Sequence, residues 1–128
     1  MKLPLLILMS YTLIGCSSVS EQSMLAQSGE WYSVGLIDGQ QGNYQRARVE
    51  LVTLSDLEEE DLQQYKKGYT KGLSMYCSPD NAYEQGGYGI RYNGQCANTE
   101  FEDLAVEKWQ AAYSDSLAME AMLFEYSD

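Results

Sequence analysis

Glycines spaced four apart behind an aromatic residue recur along this chain and restrict how it can fold. Tyr32 is followed by Gly35 and Gly39, and Tyr65 by Gly68 and Gly72 at the same spacing. Tyr83, Gly86, Gly87 and Gly89 form a shortened version. Residues four apart on a helix share a face. A glycine inside a helix costs roughly 1 kcal/mol relative to Ala, so two on one face imply a packing reason, a flat groove where another backbone approaches closely. Glycines also end helices and fill turns. The first two segments are read as close helix packing; the third fits a helix face or a loop equally well. A membrane version of such a face does not apply, because no segment after residue 15 is apolar enough to span a bilayer.

Around these units the pattern is helical. Residues 30–40 form a short first helix. Ser55-x-x-Glu58 is a capping-box pattern opening a second, long helix to about Tyr76. Its acids (Asp56, Glu58, Glu59, Glu60, Asp61) precede Lys66, Lys67 and Lys71, an order that suits the helix dipole. Leu62, Tyr65, Tyr69, Gly72, Leu73 and Tyr76 fall on one stripe of period near 3.6. The acid run lacks the spaced oxygens and Gly of a calcium loop. Ser78-Pro79 supplies an N-cap with Pro at the first helical position. Tyr92-Asn93-Gly94 reads as a turn into Cys96. Thr99-x-x-Glu102 is a second capping box, and Phe101, Leu104, Ala105, Trp109, Ala112, Tyr113, Leu117, Ala121 and Phe124 mark one face of a long last helix. Residues 44–54 fit a helix through Ala47, Leu51 and Leu54 and a strand through Val49, Leu51 and Thr53; helix is preferred. The expected fold is a single, mainly α domain of three to five helices over residues 29–128.

The N-terminus speaks to compartment. Lys2 precedes an apolar run from Leu3 to Ile14, the length of a signal-peptide core and too short to span. Leu13-Ile14-Gly15-Cys16 resembles the lipobox of bacterial lipoproteins, in which the peptide is cut before the Cys and its thiol is acylated. An ordinary secretory signal containing a Cys is the alternative. Residues 1–15 are thus read as a lipoprotein signal peptide and Cys16 as the lipidation site. Ser17 rather than Asp after that Cys resembles outer-membrane sorting in enteric-type bacteria. Several acyl chains at about 0.8 kcal/mol per buried CH₂ would hold the protein on a membrane without a spanning helix. The Ser- and Gln-rich stretch at residues 16–28 is read as a flexible tether.

Charge and cysteine count narrow the partners. Removing residues 1–15 takes Lys2 away and leaves a side-chain charge of about −12. Such a surface repels nucleic acid and anionic headgroups; it keeps the protein soluble or favours a basic partner. With Cys16 committed to lipid, Cys77 and Cys96 remain as an even pair in an oxidising compartment, and a disulfide is expected. Metal binding would need more ligands, and a redox thiol would sit better in Cys-x-x-Cys or a basic setting.

Catalytic chemistry is sparse. The chain has no His, which removes the commonest general base, the usual triads and most zinc sites. Ser74 lies in Gly72-Leu73-Ser74-Met75-Tyr76, not Gly-x-Ser-x-Gly. Gly39-Gln40-Gln41-Gly42 lacks the Lys and Ser/Thr of a phosphate loop. The best-placed acid is Asp38, among Gly35, Gly39 and Gly42; a capping or helix-packing hydrogen bond is its plainer role. Tyr is abundant, at 11 residues. Beside glycines, tyrosines either form a stacking platform or serve as core bodies with hydroxyls at the rim, and the core role is favoured. Trp31, Tyr32 and Asp38 are the candidate binding residues. No catalytic residue, metal or cofactor is expected.

These residues carry a resemblance. Trp31-Tyr32-x-x-Gly35-x-x-Asp38-Gly39-x-x-Gly42, Tyr65-x-x-Gly68-x-x-x-Gly72-Leu73-x-x-Tyr76-Cys77 and Tyr92-x-Gly94-x-Cys96 look like the bacterial lipoprotein family called domain of unknown function 2799. The resemblance covers residues 31–97 and implies the same signal and lipobox, but no established activity. Members often carry a His and a further Cys between the first two units. Here that stretch has Arg46 and Arg48 instead, so no role resting on those residues carries over. The functional expectation is a lipid-anchored envelope protein that is a structural or binding module, not an enzyme. Its rivals are a binder of peptidoglycan or other polysaccharide through exposed aromatics, and an acidic inhibitor or chaperone of a basic envelope protein.

Overall fold

The computed structural model describes residues 20–126. Six helices follow one another: α1 Glu21–Gln27, α2 Trp31–Gln40, α3 Arg48–Leu51, α4 Glu59–Tyr76, α5 Pro79–Gly87 and α6 Glu102–Glu125. No strand occurs among the described residues, and the chain is mainly α as expected. Cys16 and the preceding segment lie outside the described residues.

The glycine faces organise the first half. A Cβ added at Gly35 would fall within 3.0 Å of the Tyr65 carbonyl, and one at Gly39 would meet the backbone of Tyr69, Gly72 and Leu73. Reciprocally, Gly68 faces the Tyr32 carbonyl and Gly72 the Leu36 carbonyl. Contact positions advance in the same direction along both helices, so α2 and α4 run parallel with their backbones touching. Residues 41–58, including the single turn α3, form the crossover between them. Trp31, Val34, Leu51, Tyr65 and Ala26 make the core of this half, with Leu25, Leu54, Leu57 and Leu62 packed around it.

The second half repeats the device. Gly86 on α5 lies against the Trp109 carbonyl of α6, while Gly87 has open space around it and Gly89 adopts a positive φ of 77° in the following turn. The third glycine unit is therefore a helix face at Gly86 and a turn at Gly89. Cys77, Ala82, Cys96, Ala105 and Trp109 form its core. Tyr76 and Tyr92 meet the Trp109 ring edge-on at 5.9 and 5.4 Å, and the Trp109 indole N–H donates to the Ile90 carbonyl at 2.6 Å. The Cys77–Cys96 disulfide is formed, with Cα atoms 5.5 Å apart. It ties the C-terminal end of α4 to the loop before α6; closing a loop of this size stabilises the fold by roughly 3 kcal/mol on the chain-entropy model.

Some boundaries differ from the sequence reading. The tether reading of residues 16–28 is corrected from Ser20 onward. Ser20 caps α1 by accepting from the Ser23 N–H, Ala26 is buried, and Leu25 packs on the first core. One apolar turn hidden among Ser and Gln was enough to dock this segment, so the folded unit includes the residues from Ser20 to Ser28 that precede Gly29. Residues 44–54 contain one helical turn, Arg48–Leu51, whose Leu51 is buried. Ser78-Pro79 starts α5 as expected. The other two boxes are displaced. Glu58 caps α4, its N–H donating to Asp61, and the Asn98 N–H, not that of Thr99, reaches Glu102. The last helix buries only Ala105, Trp109 and Ala112 of its expected face; Phe101, Leu104, Leu117 and Phe124 are exposed. For Leu117 and Phe124 the reason is length: α5 has 9 residues and α6 has 24, so the C-terminal part of α6 outruns its neighbour, whereas Phe101 and Leu104 precede the first buried position, Ala105.

Candidate functional site

Asp38 points from α2 into the first core and has no exposed surface. An isolated carboxylate there would be prohibitively costly, so it must be paired. The Arg46 guanidinium, from the crossover, grips it side-on, with Nε 2.8 Å from Oδ2 and Nη2 3.0 Å from Oδ1. Gln22, from α1, donates to Oδ1 at 2.7 Å and accepts from Arg46 Nη2 at 2.5 Å. Tyr65, from α4, donates its hydroxyl to Oδ2 at 2.9 Å and accepts from the Arg46 backbone N–H at 2.9 Å. Four donors thus occupy the two carboxylate oxygens, about the full acceptor capacity of the group. Burial pushes the Tyr65 hydroxyl far above its ordinary range, and the neighbouring Asp38 charge adds to this. A carboxylate with every lone pair taken can neither accept a substrate proton nor ligate a metal without first breaking this network. Its role is to lock α1, α2, α4 and the crossover together. Among the described residues no cluster of three or more acids and cysteines could hold a metal ion.

The three candidate binding residues are not brought together on a surface. Trp31 and Asp38 are buried, and only Tyr32 is exposed, at 42 %. A platform built on Trp31 and Asp38 is thereby corrected: Trp31, on the first turn of α2, packs in the first core, and Asp38, on its last turn, is enclosed by Gln22 of α1, Tyr65 of α4 and Arg46 of the crossover. Sequence reading also missed the partners of Asp38. Gln22 lay in the presumed tether. Arg46 was legible in principle, since a buried acid on a glycine-lined helix needs a cation and only Arg46 and Arg48 occur in the adjoining segment.

Exposed polar groups gather elsewhere. A cleft of about 520 Å³ opens between the crossover, α4 and the disulfide loop. Tyr44, 79 % exposed, stands at its edge, and Tyr69, whose hydroxyl donates to the Asn43 carbonyl at 2.8 Å, forms a wall. Gln45, Asn98, Thr99 and Glu100 supply amide, hydroxyl and carboxylate groups. Asn98 is held at φ 63°, a left-handed conformation that Asn tolerates better than most residues. Burial raises the Tyr69 hydroxyl above its ordinary value. Such a lining can exchange hydrogen bonds with hydroxyls and stack a flat apolar face.

Two parallel helix pairs with glycine seams, joined by one disulfide, define a small all-α disulfide-bonded domain. The chain belongs to the family described as protein of unknown function (DUF2799), which matches residues 30–114. The match extends past the residues that carried the resemblance and takes in Trp109, on which the second core is built. Comparison with curated proteins and with solved structures gives no match.

Proposed function

We propose that this chain is a lipid-anchored protein of the bacterial cell envelope, on the outer membrane and facing the periplasm, that works as a binding module rather than an enzyme. The observation that carries the reading is Leu13-Ile14-Gly15-Cys16 behind Lys2 and an apolar run. A disulfide in the folded unit accords with an oxidising compartment. No helix of the described residues is long and apolar enough to cross a membrane, so attachment would fall to the lipid. The fold adds a constraint on reach. Ser20, the cap of α1, is four residues after Cys16, and four residues extend at most about 14 Å. An acylated Cys16 would hold the body against the membrane surface, where its partners must come to it. Cys16→Ser is expected to abolish the acyl mass on the mature N-terminus and release the protein from membranes; an intact mass showing an unmodified mature N-terminus in wild type refutes the anchor.

A second reading, capture of a neutral saccharide, is favoured by the cleft beside Tyr44 and Tyr69 rather than by Trp31 and Tyr32. Chitotetraose titrated by calorimetry into the full chain is expected to bind, and Tyr44→Ala to weaken it about tenfold, the ~1–2 kcal/mol of one stacked ring. Equal heats for wild type and variant would remove the cleft from consideration.

A further inference from the structure

The overhang of α6 has a groove of its own. Along α6 the residues facing α5 step alternately by four and three: Ala105, Trp109, Ala112, Ser116, Met119, Leu123. The first three are buried against α5 and the disulfide loop. Near the end of the pair the Ser116 hydroxyl would lie 4.0 Å from a Cβ on Gly89, in the turn after α5. Beyond Ser116 α6 continues to Glu125, about 14 Å further at the usual helical rise. Met119 and Leu123 keep the register of the packed face but are 62 % and 68 % exposed. Tyr83 and Gly87 close the other side of the groove, and Asp115 and Glu120 stand on its rim.

This face is shaped for a helix, because the same stripe already accepts one a turn earlier. Its charge selects which helix. From Trp109 to the C-terminus the sequence has no Lys or Arg but has Asp115, Glu120, Glu125 and Asp128, and α5 adds Asp80 and Glu84 without a cation. The two ion pairs among the described residues involve other acids, Asp38 and Glu59. A second copy would bring like charges together, and an anionic bilayer would meet the same repulsion. We propose that the groove binds one amphipathic helix of a partner protein, apolar along one stripe and rich in Lys or Arg on its flanks. Met119 supplies an adaptable surface for varied apolar stripes, and the acidic rim steers and orients the partner. The inference does not depend on the lipid anchor; its failure would leave Cys16 acylation untouched, and the reverse.

The test uses the full chain as purified, in nanodiscs of phosphatidylcholine if it carries acyl chains and in buffer if it does not, with empty discs or buffer as reference. Two fluorescent peptides share one Leu stripe and differ in flanks, one Lys and the other Glu. After subtraction of the reference signal, the Leu/Lys peptide is expected to bind at least about tenfold tighter than the Leu/Glu peptide. Met119→Gln with Leu123→Gln should lose about tenfold; both side chains are largely exposed, so helix content by circular dichroism should stay unchanged. Asp115→Asn with Glu120→Gln should weaken binding and flatten its salt dependence. Equal affinity for both peptides, or binding indifferent to Met119 and Leu123, overturns the proposal. So does a concentration-dependent dimer abolished by the Met119/Leu123 change, which would make the occupant a second copy. Binding of the protein to added anionic vesicles through the same residues would make it a membrane and would equally overturn it.

Discussion

Gly68→Leu should abolish the pairing of α2 with α4, with a loss of at least about 4 kcal/mol in denaturant-derived stability. Overpacking usually costs about 1–3 kcal/mol because side chains shift to make room. At Gly68 the obstacle is the Tyr32 carbonyl and the Leu36 N–H, backbone atoms of a helix that cannot move without breaking its own hydrogen bonds. Gly72 faces the Leu36 carbonyl and Gly39 in the same way, so Gly72→Leu should behave alike. Even Gly68→Ala, which on propensity alone would stabilise an exposed helix by roughly 1 kcal/mol, should destabilise, because the added methyl itself lies within 3.0 Å of that carbonyl. Gly87 is the control: nothing lies within 4 Å of its Cβ position, so Gly87→Ala should gain about 0.5–1 kcal/mol. Tolerance of Gly72→Leu in urea unfolding would show that the helices do not touch at this seam.

That seam was legible because the constraint is local. A helix face that must admit another backbone needs glycine at four-residue spacing, and the spacing is visible in Tyr32-x-x-Gly35-x-x-x-Gly39 without knowing the partner. The Cys77–Cys96 bridge was legible for another reason: setting aside Cys16, the proposed lipidation site, leaves an even pair. The shorter signals failed where competing groups were close. Ser55 had the pattern of a cap, yet Glu58 and Asp61 satisfied the backbone one turn later. Of the long-range polar pairing only Arg46 was legible, as one of two cations in the segment after Asp38. Gln22, Asp38, Arg46 and Tyr65 are up to 43 positions apart in sequence numbering, and nothing in the periodicity of α1 or the crossover announces that their side chains converge. Nor does a stripe state how much of it is covered. The apolar face of α6 reads the same before and after Ser116, and only the length of α5 decides that one part is core and the next is surface.

Asp38→Ala is expected to cost about 4 kcal/mol, because breaking a buried ion pair on one side leaves the other charge and its donors unmatched. Four hydrogen bonds end on this carboxylate, and their loss strands the Tyr65 hydroxyl inside the core and leaves the Arg46 guanidinium with Gln22 alone. Arg46 retains partial exposure, 27 % of its side chain, so it can turn toward water. The double change Asp38→Ala with Arg46→Met should therefore recover part of the loss, since an apolar replacement no longer demands a counter-charge. Tyr65→Phe tests the same network through pH. Burial raises the Tyr65 hydroxyl above its ordinary value, with Asp38 adding to the rise. A group whose proton is held more tightly in the folded state stabilises fully below its unfolded value, about 10 for Tyr, and loses that contribution as pH climbs above it. Wild-type stability should thus fall steeply above pH ~10, and Tyr65→Phe, though less stable at neutral pH, should fall less steeply there. An alkaline slope identical in both proteins would mean that Tyr65 does not hold its proton for Asp38. A neutral-pH stability unchanged by Asp38→Ala would mean that the glycine seam and the apolar core hold α1, α2 and α4 without this lock.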